Sequence, residues 1–169
     1  MRRCLPWMLL GLTAAAGLAS AQGQLMYRAD LVGYEEVPAL SSPGRGTIRV
    51  AVAPDGSSLT YDIEYSGIPT TVLQSHIHFG QMSVNGGIMV FLCSNLGNGP
   101  AGTQACPQEG RVTGTLVAGD VVGPNAQGIA PGEFAEVLAA LRAGHAYANV
   151  HSQERPGGEI RGQLSMGLR

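Results

Sequence analysis

Thr47-Ile48-Arg49-Val50-Ala51-Val52-Ala53-Pro54-Asp55-Gly56-Ser57-Ser58-Leu59-Thr60-Tyr61-Asp62-Ile63-Glu64-Tyr65 reads as a complete β-hairpin. Side chains two apart on a strand share a face, so Leu59, Tyr61, Ile63 and Tyr65 point one way while Thr60, Asp62 and Glu64 point the other. One face is core and the other is solvent. The first run is β-branched at Thr47, Ile48, Val50 and Val52 and ends in Pro54-Asp55-Gly56-Ser57, where Gly supplies the positive φ of a tight turn. The two runs are expected to pair antiparallel, with Asp55 as a turn former.

Outward from this hairpin, the same signals predict strands over residues 25–37, 72–78, 88–93, 111–117, 146–151 and 159–166, separated by stretches rich in Gly, Pro, Ser and Asn. One helix is predicted over residues 131–142, with Pro at its start, Phe134, Val137, Leu138 and Leu141 on one stripe, and Gly144 past its end. No repeat divides the chain. The pattern predicts an all-β fold, a two-sheet Greek-key sandwich whose one short helix bridges the sheets.

The N-terminus carries Arg2 and Arg3, an apolar run from Leu5 to Leu18, and the small residues Ala19-Ser20-Ala21. This reads as a cleaved signal peptide over residues 1–21 and a single domain over residues 22–169. The apolar run is short for a spanning helix, so no stable membrane insertion is expected after cleavage, and the address is periplasmic or secreted. Cleavage removes Cys4 and the only Trp, Trp7, and leaves Cys93 and Cys106 as an even pair in an oxidising compartment. A disulfide between them is expected. Loss of Arg2 and Arg3 takes the formal charge from −2 to about −4, and there is no lysine anywhere. A nucleic-acid partner and Schiff-base chemistry are both excluded by that composition.

Candidate chemistry gathers in His76-Ile77-His78-Phe79-Gly80 and in Asn149-Val150-His151, followed by Gly157-Gly158-Glu159-Ile160-Arg161-Gly162. His76 and His78 are two apart on a predicted strand and project together, while Ile77 packs the other way. Two readings follow. In the first, the residues are architecture: Arg161 pairs with Glu159 or Glu36, and the imidazoles bond to backbone carbonyls, a polar network that fixes strand register. In the second, His76, His78 and His151 hold a copper or zinc ion, with Glu159 as a further ligand or acceptor behind them. Ser75 beside His76 is no catalytic pair, because adjacent strand residues diverge, and Glu35 and Glu36 diverge for the same reason. His145 reads as a residue at the helix end.

Glu35-Glu36-Val37-Pro38, His76-Ile77-His78, Asn149-Val150-His151 and Pro156-Gly157-Gly158-Glu159-Ile160-Arg161-Gly162 together resemble the CHRD domain, over nearly the whole mature chain. The resemblance implies an immunoglobulin-like β-sandwich and little about chemistry. It leads to an exported binding or structural module for an unknown extracytoplasmic ligand or surface component, with no catalysis expected. A mononuclear copper or zinc protein is the first alternative, and an adhesion or matrix module that uses loops 94–110 and 119–132 is the second. The His-x-His strand, the Val-x-His strand and the Gly-rich turn with Arg also look like part of copper-zinc superoxide dismutase. The only other histidine is His145, so the full two-metal set of that enzyme cannot be assembled and dismutase activity is not expected.

Overall fold

The computed structural model describes residues 24–167; the predicted signal segment, with Cys4 and Trp7, lies outside them. The strands in chain order are β1 (Met26–Val32), β2 (Arg45–Val52), β3 (Leu59–Ser66), β4 (Val72–Phe79), β5 (Gly87–Ser94), β6 (Gly110–Leu116), β7 (Ala146–Ser152), β8 (Ile160–Gln163) and β9 (Ser165–Met166). One helix, α1 (Phe134–Arg142), stands between β6 and β7. β2 and β3 form the expected hairpin, with Val52 opposite Leu59 and Arg45 opposite Ser66. Leu59, Tyr61, Ile63 and Tyr65 are buried, and Thr60 and Glu64 are exposed. At the turn, Gly56 has φ +71°, and the Asp55 carboxylate accepts bonds from the Ser57 amide and hydroxyl.

All pairings are antiparallel, and the sheet order is β5-β4-β7-β8-β1-β2-β3-β6, with β9 added to β1. The all-β class with one short helix is therefore what the chain forms. The sheet is continuous, however: β8 pairs with β7 on one side and meets β1 on the other through Val32 and Arg161, joining what the strand pattern suggested as two sheets. The result is nearly a barrel. Its core includes the wholly buried Leu31, Ile48, Val50, Leu59, Ile63, Ile77, Val90, Val150 and Ile160. Helix α1 adds Phe134, Val137, Leu138, Ala140 and Leu141, with Leu138 packed towards Gly56 of the hairpin turn.

Closure is completed at the seam between the edge strands β5 and β6. The Tyr61 hydroxyl donates to the Leu92 carbonyl at 2.6 Å, and Val90 and Val121 form an isolated bridge. The long loop after β5 is pinned into this seam. Gln104 donates to the Tyr61 hydroxyl and to the Thr113 carbonyl, Gln108 donates to the Ile68 and Thr70 carbonyls, and Cys106 is bonded to Cys93. The expected disulfide is present, and the loop it anchors places the Gln104 carbonyl on the Ser94 amide of the β5 edge.

Three boundaries differ from the sequence reading. β1 ends at Val32 because the Gly33 carbonyl accepts from both the Glu36 and Leu40 amides, which tightens residues 33–35 into a 3-10 turn. The last strand breaks at Leu164, whose amide turns to the Ala146 carbonyl while its side chain enters the core. The helix begins at Phe134 because Gly132, at φ +88°, interrupts a start at Pro131.

Replacing both Cys93 and Cys106 with Ala is expected to lower unfolding free energy by up to about 3 kcal/mol, the loop-closure value for a ring of this size. Urea melts of parent and variant measure it. An unchanged midpoint would mean that the glutamine and tyrosine bonds alone hold the seam.

Candidate functional site

Strand alternation builds the site on the outer face of β4 and β7. Ile77 of β4 and Ala146, Ala148 and Val150 of β7 belong to the core. Their neighbours His76 and His78, and Tyr147, Asn149 and His151, therefore point outward. In the register, His76 lies opposite Asn149, His78 opposite Tyr147, and Gln74 opposite His151. An outer face is normally wet, yet His76, His78 and His151 are 0%, 7% and 5% exposed. Two connections cover them, residues 80–86 and residues 153–159, and each supplies an acceptor.

His78 Nδ1 bonds the Gly86 carbonyl at 2.9 Å, and His151 Nδ1 bonds the Pro156 carbonyl at 2.9 Å. Only an N–H can donate to a carbonyl, so in the neutral His78 ring the lone pair sits on Nε2. His151 meets a carbonyl oxygen at each ring nitrogen, Pro156 O at Nδ1 and Asn149 Oδ1 at Nε2, and as a neutral ring donates to one of them. His76 Nδ1 lies 3.1 Å from His151 Nε2, and the Asn149 amide oxygen, Oδ1, reaches the same nitrogen at 2.9 Å. His76 Nε2 and His78 Nε2 are buried and have no hydrogen-bond partner. Phe91 stands edge-to-face on His76 with ring centroids 4.4 Å apart, and Tyr147 stacks on His78 at 4.8 Å.

One ligand nitrogen from each histidine lies within 4.8 Å of the other two, and among the described residues no carboxylate or thiolate joins this group. Metal–imidazole bonds of about 2.0–2.1 Å in a tetrahedral arrangement put nitrogens about 3.3 Å apart. The 3.1 Å between His76 Nδ1 and His151 Nε2 is the contact between the two rings, so the ligand nitrogens, within 4.8 Å of one another, reach the spacing of a shared ion only if the rings turn. Burial holds all three rings neutral: the His76 pKa is pushed down to about 2 and the His78 pKa to about 4, the latter against the opposing bond to Gly86. His151 is lowered for the same reason, opposed by its bond to Pro156.

The acidic and basic residues are arranged differently from the expectation. Arg161, 2% exposed, does not pair with Glu159 or Glu36. Its guanidinium lies over the Tyr147 ring, 3.5 Å from the centroid, and donates to the Asn85 side chain and to the Gln81 and Val84 carbonyls. Acceptors of one loop, two backbone carbonyls and the Asn85 Oδ1, take up its fork in place of a carboxylate. Glu159 stands outside the histidine group because its two oxygens accept from the Ser42 and Ser152 hydroxyls, at 2.5 and 2.7 Å. Glu36 is buried against Gly158, whose φ of +138° and missing Cβ make room for the carboxyl group. Burial, opposed by the charge of Arg161, pushes the Glu36 pKa up to about 7.

Ser75 lies on the core side and donates to the Asn149 carbonyl, while Glu35 and His145 are exposed. Sequence reading missed Phe91, Tyr147, the Asn149 side chain and the acceptors of the covering loop. The period-two spacing of Tyr147, Asn149 and His151 was the available signal for two of them.

The fold and site together define a disulfide-stapled antiparallel β domain with a buried histidine triad on its outer face. Residues 27–164 match the family model of the CHRD domain, and the chain belongs to that family. No curated protein and no solved structure matches the chain significantly. No helix among the described residues is long and apolar enough to cross a membrane, and the disulfide points to an oxidising compartment outside the cytoplasm.

The lowered histidine values fix the sign of a pH effect. Below the ordinary value of 6.5 the unfolded chain takes up protons that the folded rings refuse, so stability falls as pH drops from about 6.5 towards the folded values near 4 and 2. Glu36 acts in the opposite sense between its ordinary 4.5 and about 7, offsetting roughly one of the three histidine protons. Each uncompensated proton contributes up to about 1.4 kcal/mol per pH unit. Denaturant melts of chelator-treated protein between pH 7 and pH 4 are expected to show this loss, steeper in Glu36→Gln and shallower in a His76→Gln, His78→Gln double variant. Identical slopes in all three proteins would contradict the neutral triad.

Proposed function

We propose that this domain is a metal-binding module that holds one copper or zinc ion through His76, His78 and His151, and that it does so outside the cytoplasm. The observation that carries the reading is the pair of buried imidazole nitrogens, His76 Nε2 and His78 Nε2, with no hydrogen-bond partner. Tyr27 Oη, Glu36 Oε1 and Gln163 Oε1 are also buried without a partner, at about 1–3 kcal/mol each, but the two imidazole nitrogens belong to side chains gathered in one group of ligand atoms. The carbonyl bonds at Gly86 and Pro156 support the same reading. Metal-ligating histidines characteristically donate their other ring N–H to such an acceptor, which fixes the tautomer and aims the lone pair.

Copper and zinc are the ions that suit three imidazoles. When bound, either would act as a charged centre that polarises whatever approaches it. The chain's own residues do the rest. His78 and His151 are aimed from behind by carbonyls, Phe91 and Tyr147 wall the rings, and the covering loops keep water away. Among the described residues neither Ser75 nor Glu159 is placed beside the triad as nucleophile or general acid, so binding is the activity inferred. Ser75 faces the core and Glu159 is held by two hydroxyls.

Elemental analysis of protein purified through an export pathway and dialysed against a weak chelator tests this. About one equivalent of copper or zinc is expected in the parent, and essentially none in a His76→Ala, His78→Ala double variant. Free ion at about a hundredfold above Kd should also raise the parent's unfolding free energy by about 2.7 kcal/mol and leave the variant's unchanged. A parent that is metal-free and takes up neither ion would sink the proposal.

A further inference from the structure

Selectivity at such a site follows from the charge around the nitrogens. An imidazole ligand is neutral, so the triad cancels none of a bound cation's charge, and among the described residues no carboxylate or thiolate stands with it. The fourth polar side chain of the patch is an amide. Asn149 is 1% exposed, lies opposite His76 in the register and reaches within 2.9 Å of His151 Nε2. A fixed positive charge stands close by, since Arg161 covers the Tyr147 ring and that ring stacks on His78. Of the two buried acids, Glu159 is turned to Ser42 and Ser152, and Glu36 lies against Gly158, where Arg161 is the charge that acts on it most.

The cost of burying an ion rises with the square of its charge, and repulsion from a neighbouring cation rises in proportion to that charge. A dication in this closed, neutral, cation-flanked pocket therefore requires an anionic partner that the patch does not supply. A monocation that tolerates few ligands does not. Building on the metal site argued above, we infer that the triad is selective for copper(I) over zinc and other divalent ions, and that an amide at position 149, in place of an acid, sets that selectivity.

The test is an anaerobic competition in which the parent and Asn149→Asp are titrated with copper(I) held by a chromophoric chelator, with zinc(II) as rival ion. Ascorbate keeps the copper reduced without a thiol that would attack the disulfide. The parent is expected to keep about one equivalent of copper(I) against a hundredfold excess of zinc. Asn149→Asp, nearly the same shape, should shift the copper(I)-to-zinc affinity ratio towards zinc by roughly tenfold or more. Gln74→Glu gives a second reading should the first variant fail to fold. Gln74 is half-buried and opposite His151, and an acid there should shift the ratio in the same direction. A parent that exchanges copper(I) for equimolar zinc, or folded acidic variants with the parent's ratio, would overturn the selectivity while leaving the metal site standing. Binding of neither ion would remove both.

Discussion

Arg161 is the residue on which the covered face depends. It is fully enclosed, and it spends its donors on one short stretch of chain, the Gln81 and Val84 carbonyls and the Asn85 side chain, while its plane rests on Tyr147. A guanidinium is suited to this, because its fork can bond several oxygens of a loop and its face can stack on a ring at once. The loop it holds is the one that offers the Gly86 carbonyl to His78 and to the Tyr147 hydroxyl. Asn85 then ties the same loop to the Val37 carbonyl, just after the buried Glu36. Without the arginine, the cover over His78 would lose three of its bonds to the sheet and keep those of Gly86 to His78 and Tyr147.

That dependence explains why the architectural and metal readings share most of their residues. Bonds that hold the covering loops down are also the bonds that orient His78 and His151, so the support of the site and the support of the fold are one set of contacts. The difference lies in what remains unsatisfied. Arg161, Glu159 and Ser152 find partners within the protein, whereas His76 Nε2 and His78 Nε2 do not. Enclosing two lone pairs opposes folding, and a stable sheet with a disulfide-sealed seam can tolerate that cost.

Much of this was legible in the sequence, and the part that was not has a physical cause. Alternation placed Leu59, Tyr61, Ile63 and Tyr65 inside, and put His76 and His78 on one face with Ile77 on the other, because period two is a property of the strand itself. The cysteine pairing followed from count and compartment. The partner of Arg161 was invisible for a different reason: its acceptors include backbone carbonyls of residues 81 and 84, and every residue carries a carbonyl, so composition marks none of them. Glu159 looked like a natural counter-ion two residues from Arg161, but Ser42, more than a hundred positions away, took one of its oxygens. The joining of two expected sheets into one turned on the short β8, which carries neighbours on both sides.

The pairing of β4 differs on its two sides. Its register with β7 runs without a shift from Gln74 to Phe79, so the two strands that carry the triad are held in step. Its register with β5 shifts twice, between Ser75 and His76 and again between Ile77 and His78, on either side of His76 and Ile77. Such irregularities re-aim a side chain and are common beside functional sites. A regular β5 would fix His76 at the angle its neighbours dictate. With the shifts, Phe91 stands opposite His76 and Ile88 opposite His78, and the displacement falls on the strand that carries no histidine. The sheet thus keeps its register between the two strands that carry the rings and shifts it on the side of Phe91.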